Sequence, residues 1–229
     1  MKTVAIIPAA GSSKRMQNNV SKQYLLLDGV PVLARTLEIF QRSPAIDEIF
    51  LIVPETDIDY AHKHIVDRYA ISKVSNILAG GKERQDSVRN GIDATGIGHD
   101  IVVIHDGVRP FISEELINSA VLGASRSKAV TVGVPVKDTV KSVDRHGMVI
   151  ETLNRSHLWL TQTPQAFERD VIKKAYEAAY GDNYYGTDDA SLVERIGVKV
   201  TMICGSYDNI KITTQDDIML AENLIRRFK

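Results

Sequence analysis

Four groups of residues in this chain have types and spacing suited to chemistry. The first is the opening, Val4-Ala-Ile-Ile-Pro-Ala-Ala-Gly-Ser-Ser-Lys-Arg-Met16, with Lys22 just beyond. Pro8 ends an apolar run, and Ala9, Ala10, Gly11, Ser12 and Ser13 are all small, so a ligand can approach the backbone closely. Successive N–H groups in such a loop suit an anion, and Lys14, Arg15 and Lys22 add positive charge. Strand, small-residue loop and cations, in that order, are what a nucleoside triphosphate site needs. Neither common glycine fingerprint of nucleotide sites is present. An ordinary strand-to-helix turn with solvated cations also fits this stretch.

The second group is Ile101-Val-Val-Ile-His-Asp-Gly-Val-Arg-Pro110. Asp106 follows an apolar run, and Gly107 lets the backbone turn closely around a ligand. A lone carboxylate there suits Mg²⁺, which takes one or two carboxylates and leaves its other positions to water and phosphate oxygens. Arg109 is assigned a bracing role in the same loop; a plain Asp106–Arg109 pair is the other reading. The third group is Ala79-Gly-Gly-Lys-Glu-Arg-Gln-Asp-Ser-Val88. Gly81 can let a flat base lie against the backbone, and Ser87 can offer a hydroxyl to a base edge, although Gly-Gly turns and capping serines are common. The fourth group is late: Asn154-Arg155, Gln162-Thr-Pro-Gln165, Gly186-Thr-Asp-Asp-Ala-Ser191 and Asp208-Asn-Ile-Lys-Ile-Thr213. Arg155 and Lys211 stand in polar, turn-like surroundings. Two cations on separate loops suit a phosphorylated second substrate, while each taken singly reads as a solvated charge.

These groups need elements to hold them. Strands are expected at Thr3–Ile7, Glu48–Val53, Val74–Leu78, Ile101–His105, Ala129–Val134 and Val198–Ile203, with helical patterns between them. Ser113 can cap a helix bearing Leu116, Ile117, Ala120 and Ala124. Thr214 and Asp217 have capping-box spacing before a last helix that buries Ile218, Ala221, Leu224, Ile225 and Phe228. Alternating strands and helices predict an α/β, Rossmann-like, mostly parallel sheet flanked by helices. Ligands of such sheets sit beyond the carboxyl ends of the strands, where these groups fall. One segment breaks the alternation. Lys137 to Leu153 reads as a protruding β-hairpin arm, Thr139–Val143 and Met148–Leu153 around Asp144-Arg-His-Gly147. A lone two-stranded ribbon is marginal in water, so it packs either on a second subunit or on its own domain.

At 229 residues, with no repeat or linker, one domain over 1–229 is expected, the arm at 137–153 lying within it. A formal net charge of -1 argues against a general nucleic-acid or membrane binder. The single cysteine, Cys204, excludes an intrachain disulfide and reads as a small buried hydrophobe. The first residues run straight into a strand, so neither a secretory signal nor a membrane span is expected, and the expected location is cytoplasmic.

Pro8-Ala-Ala-Gly11 with Arg15-Met16 and Lys22-Gln-Tyr24 resembles the nucleotide-binding opening of sugar-phosphate nucleotidyltransferases. Gly80-Gly81 with Ser87, His105-Asp-Gly-Val-Arg-Pro110, Gln162-Thr-Pro-Gln165, Thr187-Asp-Asp-Ala190 and Asp208-Asn-Ile-Lys-Ile-Thr213 narrow the resemblance to the 2-C-methyl-D-erythritol 4-phosphate cytidylyltransferase family. That resemblance implies CMP transfer from CTP to methylerythritol phosphate with Mg²⁺, in a homodimer whose arms are exchanged. It implies transition-state stabilisation by Arg15 and Lys22, and nucleotide binding by Pro8, Ala9, Ala10, Gly11, Asp106 and Gly107. Gly81 and Ser87 would read cytosine, and Asp106 would hold the metal. Arg155 from the partner and Lys211 would position the second substrate; Thr187 and Asp208 would line its pocket, with Thr139 and Thr163 assisting. The family often has Ala where this chain has Gly107, a small departure. A ribitol-5-phosphate cytidylyltransferase and a non-catalytic nucleotide-binding module are the rival readings.

Overall fold

A computed structural model describes residues 1–11 and 21–228. Arg15 lies outside the described residues, as do Ser12, Ser13, Lys14 and Met16. The strands are β1 (Thr3–Pro8), β2 (Leu26–Leu27), β3 (Val30–Pro31), β4 (Glu48–Val53), β5 (Val74–Ala79), β6 (Ile101–Ile104), β7 (Ala129–Pro135), β8 (Lys141–Val143), β9 (Val149–Thr152), β10 (Trp159–Glu168) and β11 (Thr201–Cys204). The helices are α1 (Val32–Arg42), α2 (Ile58–Ala61), α3 (Arg84–Asp93), α4 (Glu114–Ser127), α5 (Arg169–Gly181), α6 (Asp189–Arg195) and α7 (Gln215–Phe228).

Seven strands form one sheet in the order β11-β7-β10-β6-β1-β4-β5. β1 pairs in parallel with β4 and β6, β4 with β5, and β7 with β11; only β10 runs antiparallel, between β6 and β7. The expected mostly parallel α/β sheet is therefore present. Helices cover both faces, which is why the central strands read as unbroken apolar runs. Along β1, Ala5 and Ile7 pack with Leu33, Leu37 and Phe40 of α1 and Ile117 of α4. Val4 and Ile6 face the other way, into Val88 and Ile92 of α3 and Ile172 of α5. A slip of one residue would exchange these two faces, so β1 holds the loop after it in a fixed place. The ladders continue past the strand ends: Ala9 N–H donates to the Ile52 carbonyl at 2.7 Å, Gly80 N–H to Val53 at 2.7 Å and Gly107 N–H to Pro8 at 3.1 Å.

The expected caps form. Ser113 accepts from Leu116 N–H at 3.2 Å, and Thr214 N–H donates to Asp217 at 2.8 Å while Asp217 N–H returns to Thr214 Oγ1 at 3.4 Å. Ala221, Leu224 and Ile225 of α7 are buried as expected, Ile218 is only partly buried, and the expectation for Phe228 falls outside the side chains described.

Three expectations are corrected. The sequence reading has no strand over Trp159–Glu168, and takes Gln162–Gln165 as turn-like. These residues are the middle of β10, which shifts register there. Their polarity is absorbed internally: Gln165 Nε2 donates to Thr131 Oγ1 at 2.8 Å and Asp188 Oδ2 at 2.7 Å, and Gln162 Nε2 to the Ser206 carbonyl at 2.7 Å. The last strand begins at Thr201, not Val198, because Val198 and Val200 pack against the core as loop residues. Cys204 is exposed, not buried, since β11 is an edge strand.

The arm is a two-stranded sheet of β8 and β9, shorter than expected at both ends; Thr139 lies before it. It grows from neighbouring strands. Trp159 of β10 sits opposite Pro135 of β7, Val136 N–H donates to the Leu158 carbonyl at 2.9 Å, and Leu153 N–H to Val140 at 2.9 Å. Val143, Met148, Val149 and Ile150 on the arm are exposed. Among the described residues no helix is long and apolar enough to cross a membrane.

Candidate functional site

Because β1, β5 and β6 are parallel, the loops 8–11, 80–83 and 105–110 leave the sheet at one edge. Because β10 is antiparallel to β6 and β7, its first half starts at that same edge. Among the described residues, two cavities that meet at Asp106 open there. The first, about 320 Å³, is lined by Pro8, Ala9, Ala10, Gly11, Lys22, Gln23, Gly81, Lys82, Glu83, Arg84, Ser87, Asp106, Val108 and Lys211. The second, about 270 Å³, is lined by Arg84, Asp106, Arg109, Thr161, Gln162, Thr163, Gln165, Thr187, Asp188 and Lys211. Arg84, Asp106 and Lys211 belong to both and form the wall between them.

Close approach of two loops requires the glycine pair. A Cβ on Gly80 would lie 2.3 Å from that of Ala10, and one on Gly81 would lie 2.3 Å from that of Asp86. Ser87 is 3% exposed and spends its hydroxyl on this turn: it accepts from Gly81 N–H at 3.1 Å and donates to the Glu83 carbonyl at 3.2 Å. One lone pair is left for a ligand. Asp86, in the first turn of α3, accepts from Glu83 N–H at 2.9 Å and from the hydroxyls of Tyr180 and Tyr185.

Asp106 is buried and faces three cations. Arg84 Nε lies 3.1 Å from Oδ1, and Lys211 Nζ at 3.0 Å and Arg109 Nε at 3.3 Å approach Oδ2. Burial alone would raise its pKa; the charges of Arg84, Lys211 and Arg109 outweigh this and hold the carboxyl well below the usual range. Arg84 is further gripped by Asp189, with Nη1–Oδ1 3.1 Å and Nη2–Oδ2 2.8 Å, and Tyr176 donates to the same carboxylate at 2.6 Å. Burial works against the guanidinium charge, but Asp189 and Asp106 push its pKa up. Arg109 braces the loop as expected, its Nη1 donating to the Asn209 carbonyl at 2.9 Å.

His105 lies directly behind. Asp106 N–H donates to Thr163 Oγ1 at 3.1 Å, and Thr163 Oγ1 lies 3.0 Å from His105 Nδ1. His105 Nε2 lies 3.2 Å from the Arg109 carbonyl, which can only accept. Nε2 therefore carries a proton, and because burial disfavours the charged ring Nδ1 is left to accept from Thr163. Burial pushes its pKa down to about 4. Unfolded, it would titrate near ~6.5, so between those values the unfolded chain binds the extra proton and stability rises with pH. The stabilisation is complete above about 6.5 and is lost as pH falls toward about 4, by at most about 3 kcal/mol. Urea unfolding at pH 7 and pH 4.5 should show a larger loss for the parent chain than for His105→Gln; equal losses would refute this assignment.

Among the residues singled out in the sequence, the first cavity collects Pro8, Ala9, Ala10, Gly11, Lys22, Gly81 and Ser87, the second Thr163 and Thr187, and the shared wall Asp106 and Lys211. Gly107 is packed behind the wall, its N–H on Pro8. Thr139, Arg155 and Asp208 are on the wall of neither cavity. Arg155 is exposed and donates to the Lys137 carbonyl at 2.7 Å, and Asp208 is paired with Arg227. The sequence reading gave no role to Arg84, Asp189, Lys82 or Gln23. Arg84 sits inside the glycine-led stretch already singled out, so its signal was a cation entering a helix from a ligand-binding turn.

The whole length of this arrangement has counterparts. Residues 3–227 match the family model described as IspD, 2-C-methyl-D-erythritol 4-phosphate cytidylyltransferase. A protein of that name from Syntrophus aciditrophicus is 51% identical, over 99% of this chain and 97% of its own. Another from Geobacter metallireducens is 49% identical, over 99% and 98%. A crystal structure of 4-diphosphocytidyl-2C-methyl-D-erythritol synthase from Anaerococcus prevotii is similar with a TM-score of 0.87 at 38% identity, over 99% of this chain and 96% of that one. One of 2-C-methyl-D-erythritol 4-phosphate cytidylyltransferase from Thermus thermophilus gives 0.82 at 29% identity, over 99% and 100%. With its parallel sheet, its two cavities and these full-length matches, the chain belongs to the 2-C-methyl-D-erythritol 4-phosphate cytidylyltransferase family.

Proposed function

We propose that the chain transfers CMP from CTP to 2-C-methyl-D-erythritol 4-phosphate, giving 4-diphosphocytidyl-2-C-methyl-D-erythritol and pyrophosphate. The observation that carries this reading is the pair of cavities sharing a cationic wall. CTP occupies the first, with its base against Gly81 and Ser87 and its triphosphate over Pro8–Gly11 near Lys22; Arg15 is assigned to the triphosphate by the family resemblance alone. The sugar alcohol phosphate occupies the second, beside Thr163 and Thr187, with Lys211 within reach of its phosphate. A phosphate oxygen attacks the α-phosphorus as the bond to pyrophosphate breaks. A monoester with a second pKa near ~6 is already largely dianionic at neutral pH, so no general base is needed. This agrees with His105, whose two ring nitrogens are engaged internally. The work left to the protein is positioning and charge neutralisation.

Asp106 suits a magnesium ion as its one protein carboxylate, since it lines both cavities and, among the described residues, Oδ1 accepts a single hydrogen bond, from Arg84. Among the described residues no three His, Cys, Asp or Glu side chains converge, so the other positions fall to phosphate and water. Bound there, Mg²⁺ supplies charge to the triphosphate. We also propose a homodimer in which each arm reaches the partner's site with Arg155, supported by the exposed apolar side chains on the arm.

Pyrophosphate release with CTP and either methylerythritol phosphate or ribitol 5-phosphate tests the reading. Activity with the first substrate is expected; activity confined to ribitol phosphate, or none, would refute it. CTP should exceed UTP by about 10- to 100-fold in kcat/KM for each buried acceptor the cytosine amine satisfies and the uracil carbonyl does not. ATP and GTP should be worse still. Ser87→Ala should narrow the CTP–UTP gap and, by releasing the Gly81 turn, raise the KM for CTP. Equal kcat/KM for CTP and UTP in the parent enzyme would remove the cytosine-reading role of Gly81 and Ser87.

A further inference from the structure

The wall between the cavities contains an arginine with no function yet assigned. We infer that Arg84 is a further catalytic residue, a guanidinium that touches the phosphate groups of both substrates where they meet, and that Asp189 positions it. The inference rests on the CTP-dependent reaction proposed above.

Three observations carry it. Among the described residues Arg84, Asp106 and Lys211 alone line both cavities, so a group passing from an occupant of one to an occupant of the other passes beside Arg84. Next, the guanidinium has five N–H donors, and among the described residues only three are used, by Asp106 Oδ1 and the two oxygens of Asp189. Its side chain is 33% exposed, whereas that of Arg109 is 11% exposed and lines the second cavity only. Arg109 is a brace; Arg84 keeps one unspent N–H on each terminal nitrogen. Last, Asp189 is 1% exposed and grips the far side of the fork from the first turn of α6, itself held by Tyr176. A carboxylate so deeply buried must be paired, and here the pairing fixes the plane of the arginine. In the ion-paired cluster built on this wall, three cations, Arg84, Arg109 and Lys211, face two carboxylates, Asp106 and Asp189.

In the transfer, a bond forms between the nucleophile's phosphate oxygen and the α-phosphorus. The bond from that phosphorus to the bridging oxygen breaks, and its electron pair leaves on pyrophosphate. No proton moves. Charge spreads over the equatorial oxygens and both flanking phosphates, which a planar fork can bridge and a lysine point charge cannot.

The test is steady-state kinetics with CTP and methylerythritol phosphate each varied, on the parent, Arg84→Ala, Arg84→Lys and Asp189→Asn, with thermal melting of each. Arg84→Ala should lose on the order of 10²–10³ in kcat with each KM within a few-fold. Guanidinium chloride at millimolar concentration should raise its kcat about tenfold, a response that a purely structural arginine would not give. Arg84→Lys keeps the charge beside Asp106 and Asp189, so it should fold and still lose at least about tenfold. Asp189→Asn should lower kcat about tenfold, because the fork is no longer fixed. Folded Arg84 variants with kcat within threefold of the parent, or a loss confined to KM, would overturn the inference. If Arg84→Ala does not fold, Arg84→Lys decides alone. A parent enzyme that releases no pyrophosphate would bring down the function reading and this inference together. An active parent with indifferent Arg84 variants would bring down this inference alone.

Discussion

Replacing Lys22 with alanine lowers kcat by on the order of 10²–10³ and leaves the KM for methylerythritol phosphate within a few-fold of the parent value. Lys22 lines the first cavity and not the second. Its Nζ lies 3.7 Å from where a Cβ on Gly11 would stand, so its charge hangs over the small-residue loop. In the reaction proposed above it meets the triphosphate there, whose charge is redistributed as pyrophosphate departs. An interaction that strengthens in the transition state appears in kcat, whereas one equally strong in the ground state appears in KM. Steady-state kinetics with both substrates varied separates the two. A Lys22→Ala enzyme with near-parental kcat would remove Lys22 from the catalytic set. Arg15 is proposed for the same task and should behave alike.

Mixing an Arg155→Ala chain with a Lys22→Ala chain, each inactive alone, restores about a quarter of the parental specific activity after subunit exchange. The figure follows from symmetry: random exchange makes about half of the dimers hybrid, and each hybrid has one intact and one doubly defective site. Within a single chain Arg155 faces solvent and the Lys137 carbonyl, away from both cavities. Its use in catalysis therefore calls for a second chain. If Arg155 acted in its own subunit, every hybrid site would keep one lesion. No recovery in a sample whose exchange is proven by native mass spectrometry would refute the crossed arrangement.

The strands that sequence exposes are those whose side chains all meet oil. β1 and β4 announce themselves as Val-Ala-Ile-Ile and Ile-Phe-Leu-Ile-Val, and the site loops follow from their ends. β10 stays hidden because its burial is of another kind. Gln162, Thr163 and Gln165 are as buried as the valines but are satisfied by Ser206, His105, Thr131 and Asp188, partners far along the chain. No local pattern carries that information. Arg84 is hidden for a similar reason. At a helix start an arginine reads as a solvated charge, and only the fold brings Asp189, 105 positions later, to its far side. Lys211 was legible as a cation on a polar loop. Its 3.0 Å pairing with Asp106 was not, since it depends on the carbonyl of Val108 docking the 212 amide.

The neck of the arm has a mechanical consequence. The arm is joined to the sheet by hydrogen-bonded strands, from Pro135 opposite Trp159 through Val136 to the Val140–Leu153 pairing. Lys137 lies over the Tyr207 ring at 3.5 Å, and Tyr207 holds the Pro135 carbonyl at 2.6 Å. Such a junction is a lever with a stiff fulcrum, not a tether. Thr161 and Gln162, two and three residues past Trp159, already line the second cavity. An arm so held cannot swing apart from β10, so its position is tied to the strand whose Thr161 and Gln162 border the second cavity.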